Sequence, residues 1–520
     1  MKTYVNERQA MARKSQQSRA PLLALAVDRD STETLQDQLF RQISDIILSG
    51  RLPPGTRLPS SRALASDLGV SRNTVTAVFD RLMSEGYSEG RTGSGTCVSR
   101  DLPMALLDRN HSAASVDGPD DVADSIPVLS RQGQRVLATV ADHPRGKTIL
   151  RPGHSGLQSF PFAVWNRLLQ KYWRAPDRHQ LLFPEIGGHP PLRQQIARYL
   201  ASERGLNCRP EQIIVTSGSQ QALDMTARLL VDPGQKVWLE DPCYGGLKAA
   251  FQAVGAKIEP IRVDQQGLSV SEARKVAGDA VLAAVTPSHQ YPLGVVMNLS
   301  RRLELLDWAN VNQSWILEDD YDSEFRYSGR PLSALQGLDK CGRVIYAGTF
   351  SRIMFPAIRL GYLVVPEKLL PSFLKFSSLL YGHAPLALQP AMAEFMRDGH
   401  FSAHIRRMRG FYKQRQQWMI NAIKSHLGNF IEAEPDPAGM HLLARIVEHG
   451  GRGKLIQDQE LSKAAASIGV SVMALSAMYD TGAANKKQGL ILGYGGLPEK
   501  QMDRAFARLK TSWQKILQCQ

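Results

Sequence analysis

Short runs rich in β-branched residues recur after residue 150, and amphipathic helical segments separate them. The runs lie at 213–216, 236–239, 281–285, 315–317, 344–347 and 362–365. Strands that alternate with helices predict an α/β fold with a mostly parallel sheet. Such a sheet places ligand sites at the carboxyl ends of its strands, so the residues that directly follow each run carry the functional information.

Length and composition restrict the class of protein. The 520 residues suffice for several domains, and 43% of them are hydrophobic, as in ordinary globular proteins. No run approaches the ~20 apolar residues of a membrane span, and the N-terminus lacks the apolar core of a secretion signal. The five cysteines show no CxxC spacing, which argues against disulfides and zinc. We expect a cytoplasmic protein with no metal site and no membrane association.

Changes in pattern divide the chain into four parts. We predict a flexible arm at 1–29, a compact module at 30–98, a polar linker at 99–149 and a large α/β module at 150–520. The formal net charge is +14, but residues 1–100 hold 14 Lys and Arg against 10 Asp and Glu. The total charge therefore permits nucleic acid as a partner and does not locate a binding face.

The module at 30–98 has the pattern of three short helices and a hairpin. The first helix has an apolar face, and its opposite face is polar, with Gln38, Arg41, Gln42 and Asp45. Gly69 separates two further helices that serines can cap, which is a helix-turn-helix arrangement. A small helical packing domain would also account for the helices alone.

The second helix of such a motif enters the major groove of DNA. Arg72 and Asn73 lie at its N-terminal end, where these side chains can pair with guanine or adenine edges. The hairpin GYSEGRTGSGTCVS has a glycine-rich tip. Its Arg91 and backbone amides can hold a phosphate or enter the minor groove.

The strings PPGTRLPSSRALA, GVSRNTV and GRTGSGTCV together resemble the winged helix-turn-helix of the GntR superfamily over residues 32–98. The resemblance implies a double-stranded DNA operator as partner. Many relatives carry arginine at the position of Thr76, so we expect a different base preference here. The DNA-contacting residues that the resemblance implies are Arg62, Ser71, Arg72, Asn73, Thr76, Arg91, Gly93 and Gly95.

Polar groups suited to a phosphate follow the first and fifth runs of the large module. A helix begins directly after the first run, and its free N–H groups and dipole favour an anion. Two hydroxyls and a forked guanidinium follow the fifth run and suit a phosphate monoester. These residues are Gly218, Ser219, Gln220, Thr349, Ser351 and Arg359.

The turns after the other runs are less specific one by one. Tyr244 can present its ring to a planar ligand, or it can pack under a loop. His289 can act as an acid or base, or it can be an ordinary loop histidine. The acids of LEDDYDSEF can bind a metal, be solvated, or pair with a ring N–H⁺. Together, in this order, the segments predict a site for a planar, phosphorylated, pyridine-like ring.

The motifs TPSHQYPLG, EDDYDSEFRY and GTFSR…RLGYLVVP resemble fold type I aminotransferases, which depend on pyridoxal 5′-phosphate (PLP). The resemblance covers residues 150–517, and with the N-terminal module the chain resembles the MocR/GabR family of transcriptional regulators. It implies that Asp319 pairs with the pyridine nitrogen, Tyr321 bonds to the ring hydroxyl and Tyr244 stacks on the ring. The six phosphate-suited residues would hold the phosphate.

Two positions depart from the family pattern. The lysine of GTFSK, which forms a Schiff base with PLP, is replaced by Arg352. Arginine stays protonated and is no useful nucleophile, so we expect no internal aldimine and no turnover. A late arginine that clamps the substrate carboxylate is also missing, and Gly489 stands at its position, with Lys486 and Lys487 nearby.

The leading hypothesis is therefore a homodimeric, DNA-binding regulator whose large module binds a small-molecule effector, such as an amine, an amino acid or a PLP-like compound. PLP or an amino-acid adduct of PLP binds noncovalently, or Arg352 fills the site and the module senses something else; the sequence leaves both open. An active aminotransferase and a ligand-free constitutive repressor are the alternatives.

Overall fold

A computed structural model describes residues 25–91, 95–101, 129–139, 150–329, 332–447, 456–480, 486–496 and 498–519. The chain forms two compact units, called here the small unit (residues 1–128) and the large unit (residues 129–520). No helix in these described ranges is long and apolar enough to cross a membrane.

The small unit is a winged helix-turn-helix, as predicted. Its elements are α1 Leu35–Leu48, α2 Ser61–Leu68, α3 Arg72–Ser84, β1 Ser88–Arg91 and β2 Gly95–Val98. Ser60 and Ser71 cap helices α2 and α3 by accepting backbone N–H bonds, and Gly69, at a φ of +63°, ends α2 in the left-handed conformation. Strands β1 and β2 pair antiparallel.

The end of the predicted arm, residues 25–29, packs onto the small unit. Leu25 is buried in its core. Gln42 exchanges two hydrogen bonds with the backbone of Ala26, and Gln38 does the same with the backbone of Asp28. Gln38 is therefore buried and not part of a solvated face, because its amide satisfies a backbone segment in place of water. The rest of the predicted arm lies outside the described residues.

The large unit begins earlier than predicted, because a helix, α4 (Arg131–Thr139), forms inside the segment predicted as a linker. Gln132 on α4 donates to the backbone carbonyls of Gln252 and Ala253 at the end of helix α9 (Gly245–Ala253). The α-helices of the large unit, in chain order from α4 to α16, are Arg131–Thr139, Phe162–Arg174, Arg178–Leu182, Pro190–Arg204, Ser219–Leu230, Gly245–Ala253, Val270–Ala277, Leu299–Val311, Leu370–Leu380, Gln389–Arg397, His400–Ala422, Asp458–Ser467 and Glu499–Cys519.

The strands of the large unit form an eight-stranded and a four-stranded sheet. From β3 to β14 the strands are Ile213–Thr216, Lys236–Asp241, Lys257–Asp264, Gly267–Leu268, Leu282–Val285, Trp315–Asp320, Val344–Thr349, Gly361–Val364, Ile431–Ala433, His441–Ile446, Met473–Ala474 and Leu490–Gly493. The larger sheet has the order β3-β10-β9-β8-β7-β4-β5-β6, and the smaller, which the sequence did not predict, has the order β11-β12-β14-β13.

The larger sheet is mostly parallel, as the sequence predicts. Strands β5, β4, β7, β8 and β9 run in one direction, and β10 is antiparallel to both β9 and β3. Both faces are covered by helices: α8, α9 and α12 pack on one face, and α10 and α11 pack on the other. The carboxyl ends of β3, β4, β7, β8 and β9 therefore lie at one edge, where the polar segments meet.

Candidate functional site

Helix α3 of the small unit presents its N-terminal residues to solvent. Arg72, Asn73 and, on α2, Arg62 are exposed, and their side chains have no hydrogen bond or ion pair within the described part of the chain. Unpaired guanidinium and amide groups at this end of a recognition helix suit base edges and phosphates.

Ser71 and Thr76 are exposed too, but their hydroxyls are already engaged. The Ser71 hydroxyl accepts the backbone N–H of Thr74 at 3.0 Å, and the Thr76 hydroxyl donates to the carbonyl of Arg72 at 2.9 Å. Ser71 therefore caps α3 and orients its first turn, and Arg72 and Asn73 carry the free polar groups.

The wing is described only in part. Gly95 has a φ of +83°, and a Cβ there would lie 3.5 Å from the guanidinium of Arg57, which is exposed and pairs by a β-bridge with Cys97. Gly93 and the side chain of Arg91 lie outside the described residues. Arg57 belongs to no helical or hairpin pattern of its own, so the sequence does not predict its place beside the wing.

In the large unit, the residues predicted to bind a phosphate lie at the carboxyl ends of β3 and β9. Gly218 has a φ of +88° and precedes the first turn of α8, at Ser219. A Cβ on Gly218 would lie 3.4 Å from the guanidinium of Arg359. The Arg359 side chain has no protein partner among the residues described. A cation and a helix N-terminus thus adjoin, an arrangement that binds phosphate.

Hydroxyl groups lie beside this cation. Thr349 is buried, and its hydroxyl accepts the backbone N–H of Ser351 at 3.2 Å. The Ser351 hydroxyl is buried without a hydrogen-bond partner in the described structure. Gln220 serves differently, since its amide donates to the carbonyl of Gly246 at 2.9 Å and ties α8 to the start of α9.

Tyr244 lies at the start of α9 and is 38% exposed. Its ring stands edge-on to Tyr291, with centroids 6.3 Å apart and an interplanar angle of 83°. A Cβ on Gly246 would come within 2.4 Å of the Tyr244 ring, so glycine is needed there for the ring to keep its position. The exposed ring face remains available to a planar group.

Asp319, at the end of β8, is a buried carboxylate with an unsatisfied oxygen. Its Oδ1 atom has no hydrogen-bond partner in the ranges that the structure covers. Burial raises its pKa to about 7, the charge of Asp320 adds to this, and the charge of Arg352 opposes it. An unpaired buried carboxylate is costly unless a partner arrives, and a pyridinium N–H is such a partner.

Arg352 bonds to the segment that contains Gly153 and Ser155. Its Nη1 atom donates to the carbonyl of Gly153 at 2.5 Å, and the Ser155 hydroxyl donates to the Arg352 carbonyl at 2.9 Å. A Cβ on Gly153 would lie 1.5 Å from Nη1. No hydrogen bond or ion pair joins Arg352 to Asp319 in the described chain, so the guanidinium does not neutralise that carboxylate by contact.

Tyr321 lies two residues after Asp319 and contacts His289, which follows β7. The Tyr321 hydroxyl lies 3.1 Å from His289 Nδ1. His289 is buried between Asp322, 3.0 Å from Nδ1, and Asp436, 3.4 Å from Nε2. Burial lowers the pKa of His289, but the two carboxylates outweigh burial and raise it to about 10. The sequence predicts for His289 either an ordinary loop residue or an acid/base; in the structure it is buried and paired with two carboxylates.

At Gly489, where the family resemblance places a carboxylate-binding arginine, the structure shows contacts to backbone and to Asp458. The Gly489 backbone N–H donates to Asp458, and a Cβ there would lie 2.9 Å from the carbonyl of Ala444, so Gly489 contacts the smaller sheet. Lys487 is exposed. Arg151 is half-buried. Burial raises the pKa of Tyr291 to about 12, and the positive charges of Arg352 and Arg151 oppose this rise. The Arg151 guanidinium has no partner among described residues.

The residues that the structure describes contain no group of three or more His, Cys, Asp or Glu side chains able to hold a metal ion. The acids of the LEDDYDSEF segment are used in other ways. Asp320 pairs with buried Arg204 at 2.8 Å, and Glu318 accepts the backbone N–H groups of Leu335 and Gln336.

Comparisons with known proteins agree with this division of the chain. Residues 35–98 match the family described as bacterial regulatory proteins, gntR family, and residues 157–509 match aminotransferase class I and II. A probable rhizopine catabolism regulatory protein, MocR, of Rhizobium meliloti is 39% identical and covers 94% of this chain and 96% of its own length. The pyridoxine biosynthesis transcriptional regulator PdxR of Corynebacterium glutamicum is 30% identical, with coverages of 94% and 98%.

A solved structure of kynurenine aminotransferase from Pyrococcus horikoshii, in complex with PMP, superposes with a TM-score of 0.64 at 25% identity. It covers 76% of this chain and 97% of its own. The aminotransferase match, residues 157–509, includes every strand of the sheet whose strand ends carry the candidate site. The matches to the two regulators cover nearly their whole lengths, and so include both the winged helix-turn-helix and the aminotransferase-like part. The chain therefore belongs to the MocR family of transcriptional regulators, which combine a GntR-type winged helix-turn-helix with an aminotransferase class I and II domain.

Proposed function

We propose that this regulator binds operator DNA through its small unit and a PLP-type ligand through its large unit, without a covalent bond to the ligand. One observation carries the ligand half: Asp319 is buried with an unpaired oxygen, while Arg352 at the lysine position donates to Gly153. An arginine that filled the ring position would be expected to satisfy that carboxylate. The site therefore favours an incoming cationic ring nitrogen over self-occupation by Arg352.

The residues present fit the ligand group by group. Asp319 would accept the ring N–H, Tyr321 would bond to the ring hydroxyl, and Tyr244 would cover the ring face. The phosphate would lie between the α8 N-terminus, the Ser351 hydroxyl and the Arg359 guanidinium. When bound in an enzyme, PLP supplies an electron sink for amino-acid chemistry. The name of PdxR, a pyridoxine biosynthesis regulator, supports a vitamin-B6-type effector here.

We propose that the large unit does not catalyse transamination. The reaction needs a side chain that both bonds to the cofactor and moves a proton at the amino-acid carbon. The guanidinium of Arg352 remains protonated and does neither. The residues of the site then bind and orient the ligand, and its binding energy is available to shift the protein between DNA-binding states.

We propose a homodimer formed through the large units, in the cytoplasm. An exposed apolar stretch supports this: Trp173, Leu182 and Phe183 are 73%, 73% and 67% exposed. Leu181 and Ile186 adjoin them and are about half-exposed. Large apolar side chains clustered on a surface mark a protein contact, and an isologous pair of copies would cover both patches at once.

The DNA half is tested by Arg72→Ala in the full chain, with DNA selected from a random pool by the wild-type protein. Loss of a bidentate base contact should weaken binding by about 5- to 150-fold. Arg41→Ala, which removes the same charge at an exposed position of α1 where the guanidinium pairs with Glu33, is the matched control and should change the affinity little. Wild-type affinity in Arg72→Ala would remove α3 from the recognition role.

The ligand half is tested by equilibrium dialysis of the full chain against PLP and pyridoxamine 5′-phosphate (PMP), with operator affinity measured alongside. We expect both to bind reversibly and to change operator affinity. A borohydride-fixed adduct of the wild type would favour the aminotransferase alternative. Absence of binding and of any change in operator affinity would favour the constitutive repressor.

A further inference from the structure

We infer that His289 is a positioning residue that fixes the Tyr321 hydroxyl as a hydrogen-bond donor to the ligand. The site then selects ring ligands that offer an acceptor oxygen beside the bond-forming carbon, that is, a pyridine ring with an ionised hydroxyl. This inference rests on the proposed function, because it concerns the same ring site.

The position of the His289 hydrogens follows from its neighbours. Both oxygens of Asp322 lie within 3.1 Å of Nδ1, at 3.0 and 3.1 Å. A nitrogen lone pair that faced a carboxylate at this distance would be repelled, so Nδ1 carries a hydrogen. On the other side of the ring, Nε2 lies 3.4 Å from an oxygen of Asp436. Both nitrogens therefore face acceptors.

His289 and Asp436 pack closely against two glycines that leave no space for a side chain. A Cβ on Gly439 would lie 2.3 Å from His289 Cε1, and a Cβ on Gly294 would lie 2.3 Å from the Asp436 carboxylate. His441 packs 5.6 Å from the ring, and burial, with the charge of His289 added, lowers the pKa of His441 to about 4. His441 is thus neutral, and His289 is the cation of the cluster.

Tyr321 takes its role from this fixed N–H. Its hydroxyl oxygen lies 3.1 Å from Nδ1, and the two rings stack with centroids 6.1 Å apart. Because Nδ1 carries the hydrogen that faces Asp322, it has no lone pair to accept a bond from the Tyr321 hydroxyl, so the Tyr321 hydrogen points elsewhere. A ligand at the ring site must then supply an acceptor, and an ionised ring hydroxyl is a stronger acceptor than a neutral one.

Asp319 sets the opposite requirement, a hydrogen-bond donor on the ligand. Its unpaired oxygen accepts and does not donate while the group is ionised, so it favours a protonated ring nitrogen. A donor at Tyr321 and an acceptor at Asp319 together match the zwitterionic form of a 3-hydroxypyridine, with N–H⁺ and O⁻ on one ring. Neither residue alone distinguishes that form from the neutral one.

The test compares PMP with 3-deoxy-PMP, which lacks only the ring hydroxyl, by calorimetric titration of the full chain. The wild type should bind PMP about tenfold or more tightly than the deoxy compound. Tyr321→Phe and His289→Asn should each reduce this preference to below about threefold. Asp436→Asn, at a carboxylate that is 20% exposed, is a milder variant of the same cluster. His383→Asn, at an exposed histidine elsewhere, should keep the wild-type preference.

The near-ultraviolet absorbance of bound PMP gives a readout that a merely structural role would not move, because it reports the ionisation of the ring hydroxyl. In His289→Asn the bound hydroxyl should titrate at higher pH than in the wild type. Equal binding of PMP and 3-deoxy-PMP to the wild type would overturn the inference alone. Failure of the wild type to bind either amine would overturn the proposed function as well. An unchanged preference and titration in both His289→Asn and Asp436→Asn would remove His289 from the role.

Discussion

Gly153 and Arg352 illustrate how one small residue decides the direction of a large one. Gly153 has a φ of +84°, and its missing Cβ leaves the space that the Arg352 guanidinium occupies. The hydrogen bond to the Gly153 carbonyl then satisfies part of the guanidinium. Because Arg352 is directed there, the carboxylate of Asp319 keeps a free oxygen for a ligand.

Gly153→Ala should therefore destabilise the large unit more than a positive φ alone explains. Gly382→Ala is the matched control, because Gly382 has a φ of +64° and no atom within 4 Å of its missing Cβ. Each substitution should cost about 1 kcal/mol of unfolding free energy for backbone strain. Gly153→Ala should cost ~1 kcal/mol more for the displaced Arg352 bond, in urea denaturation. Equal losses would show that Arg352 does not depend on that space.

His289 predicts a pH dependence of stability with a definite sign. Its pKa is raised from 6.5 to about 10 in the folded chain by Asp322 and Asp436, against the effect of burial. The stability that its protonation contributes is fully present below pH 6.5 and is lost as the pH rises through about 10. In urea denaturation between pH 7 and pH 10, the wild type should lose more stability than His289→Gln. Parallel pH profiles would contradict this assignment.

At single residues, the sequence identified groups that a strand end presents locally, such as Asp319, Thr349 and Ser351. It could not identify the pairing of His289 with two carboxylates, because one of them, Asp436, lies 147 residues further along the chain. Nor could it predict the hydrogen-bond partner of the Arg352 side chain, because that partner, Gly153, lies 199 residues away. The roles of the predicted ligand and DNA contacts stay predictions.

Elements were predictable where their pattern is local. All six apolar runs form strands of the larger sheet, since continuous apolar runs suit strands covered on both faces. Strand β5, Lys257–Asp264, was missed because charged residues interrupt it and Pro260 argues against a strand. Helix α4 was missed because its helical pattern lies in a polar segment. Tertiary contacts, not local pattern, decide both elements.

The cap of α3 gives a prediction at the scale of an element. Ser71→Ala removes the hydroxyl that accepts the Thr74 N–H, which should cost about 1 kcal/mol of local stability. Amide hydrogen exchange of α3 in the full chain should accelerate accordingly. Ser84→Ala, at the other end of α3, removes a hydroxyl that donates to a carbonyl and should have a smaller effect. Unchanged exchange in Ser71→Ala would show that the cap is not needed.

For the whole molecule, the total charge did not locate the DNA-binding module, whereas the order of the motifs predicted both parts of the chain. Only a net +4 of the +14 lies in the first 100 residues, yet the winged helix-turn-helix is there. The order of strand-end segments indicated the aminotransferase-like part, which the family match bears out. Boundaries were less predictable, because residues 25–29 and 129–139 are held by side-chain amides that bond to distant backbone.

The proposed dimer is tested by Phe183→Glu, which places a charge in the exposed apolar stretch 173–186. The wild type should sediment as two copies and the variant largely as one, since burying an unpaired charge at an interface is costly. Val311→Glu is the control, because Val311 is also 67% exposed but lies on α11. Dissociation by both variants, or by neither, would contradict the assignment of this stretch to the dimer contact.

The central claim is that Arg352 makes this a ligand-binding regulator without a covalent cofactor, and native mass spectrometry with PLP tests it most directly. The wild-type chain should gain the mass of PLP under native conditions and lose it on denaturation, even after borohydride. Arg352→Lys should retain that mass after borohydride and denaturation, on residue 352. A borohydride-fixed wild type, or an Arg352→Lys variant that gains no covalent mass, would contradict the account.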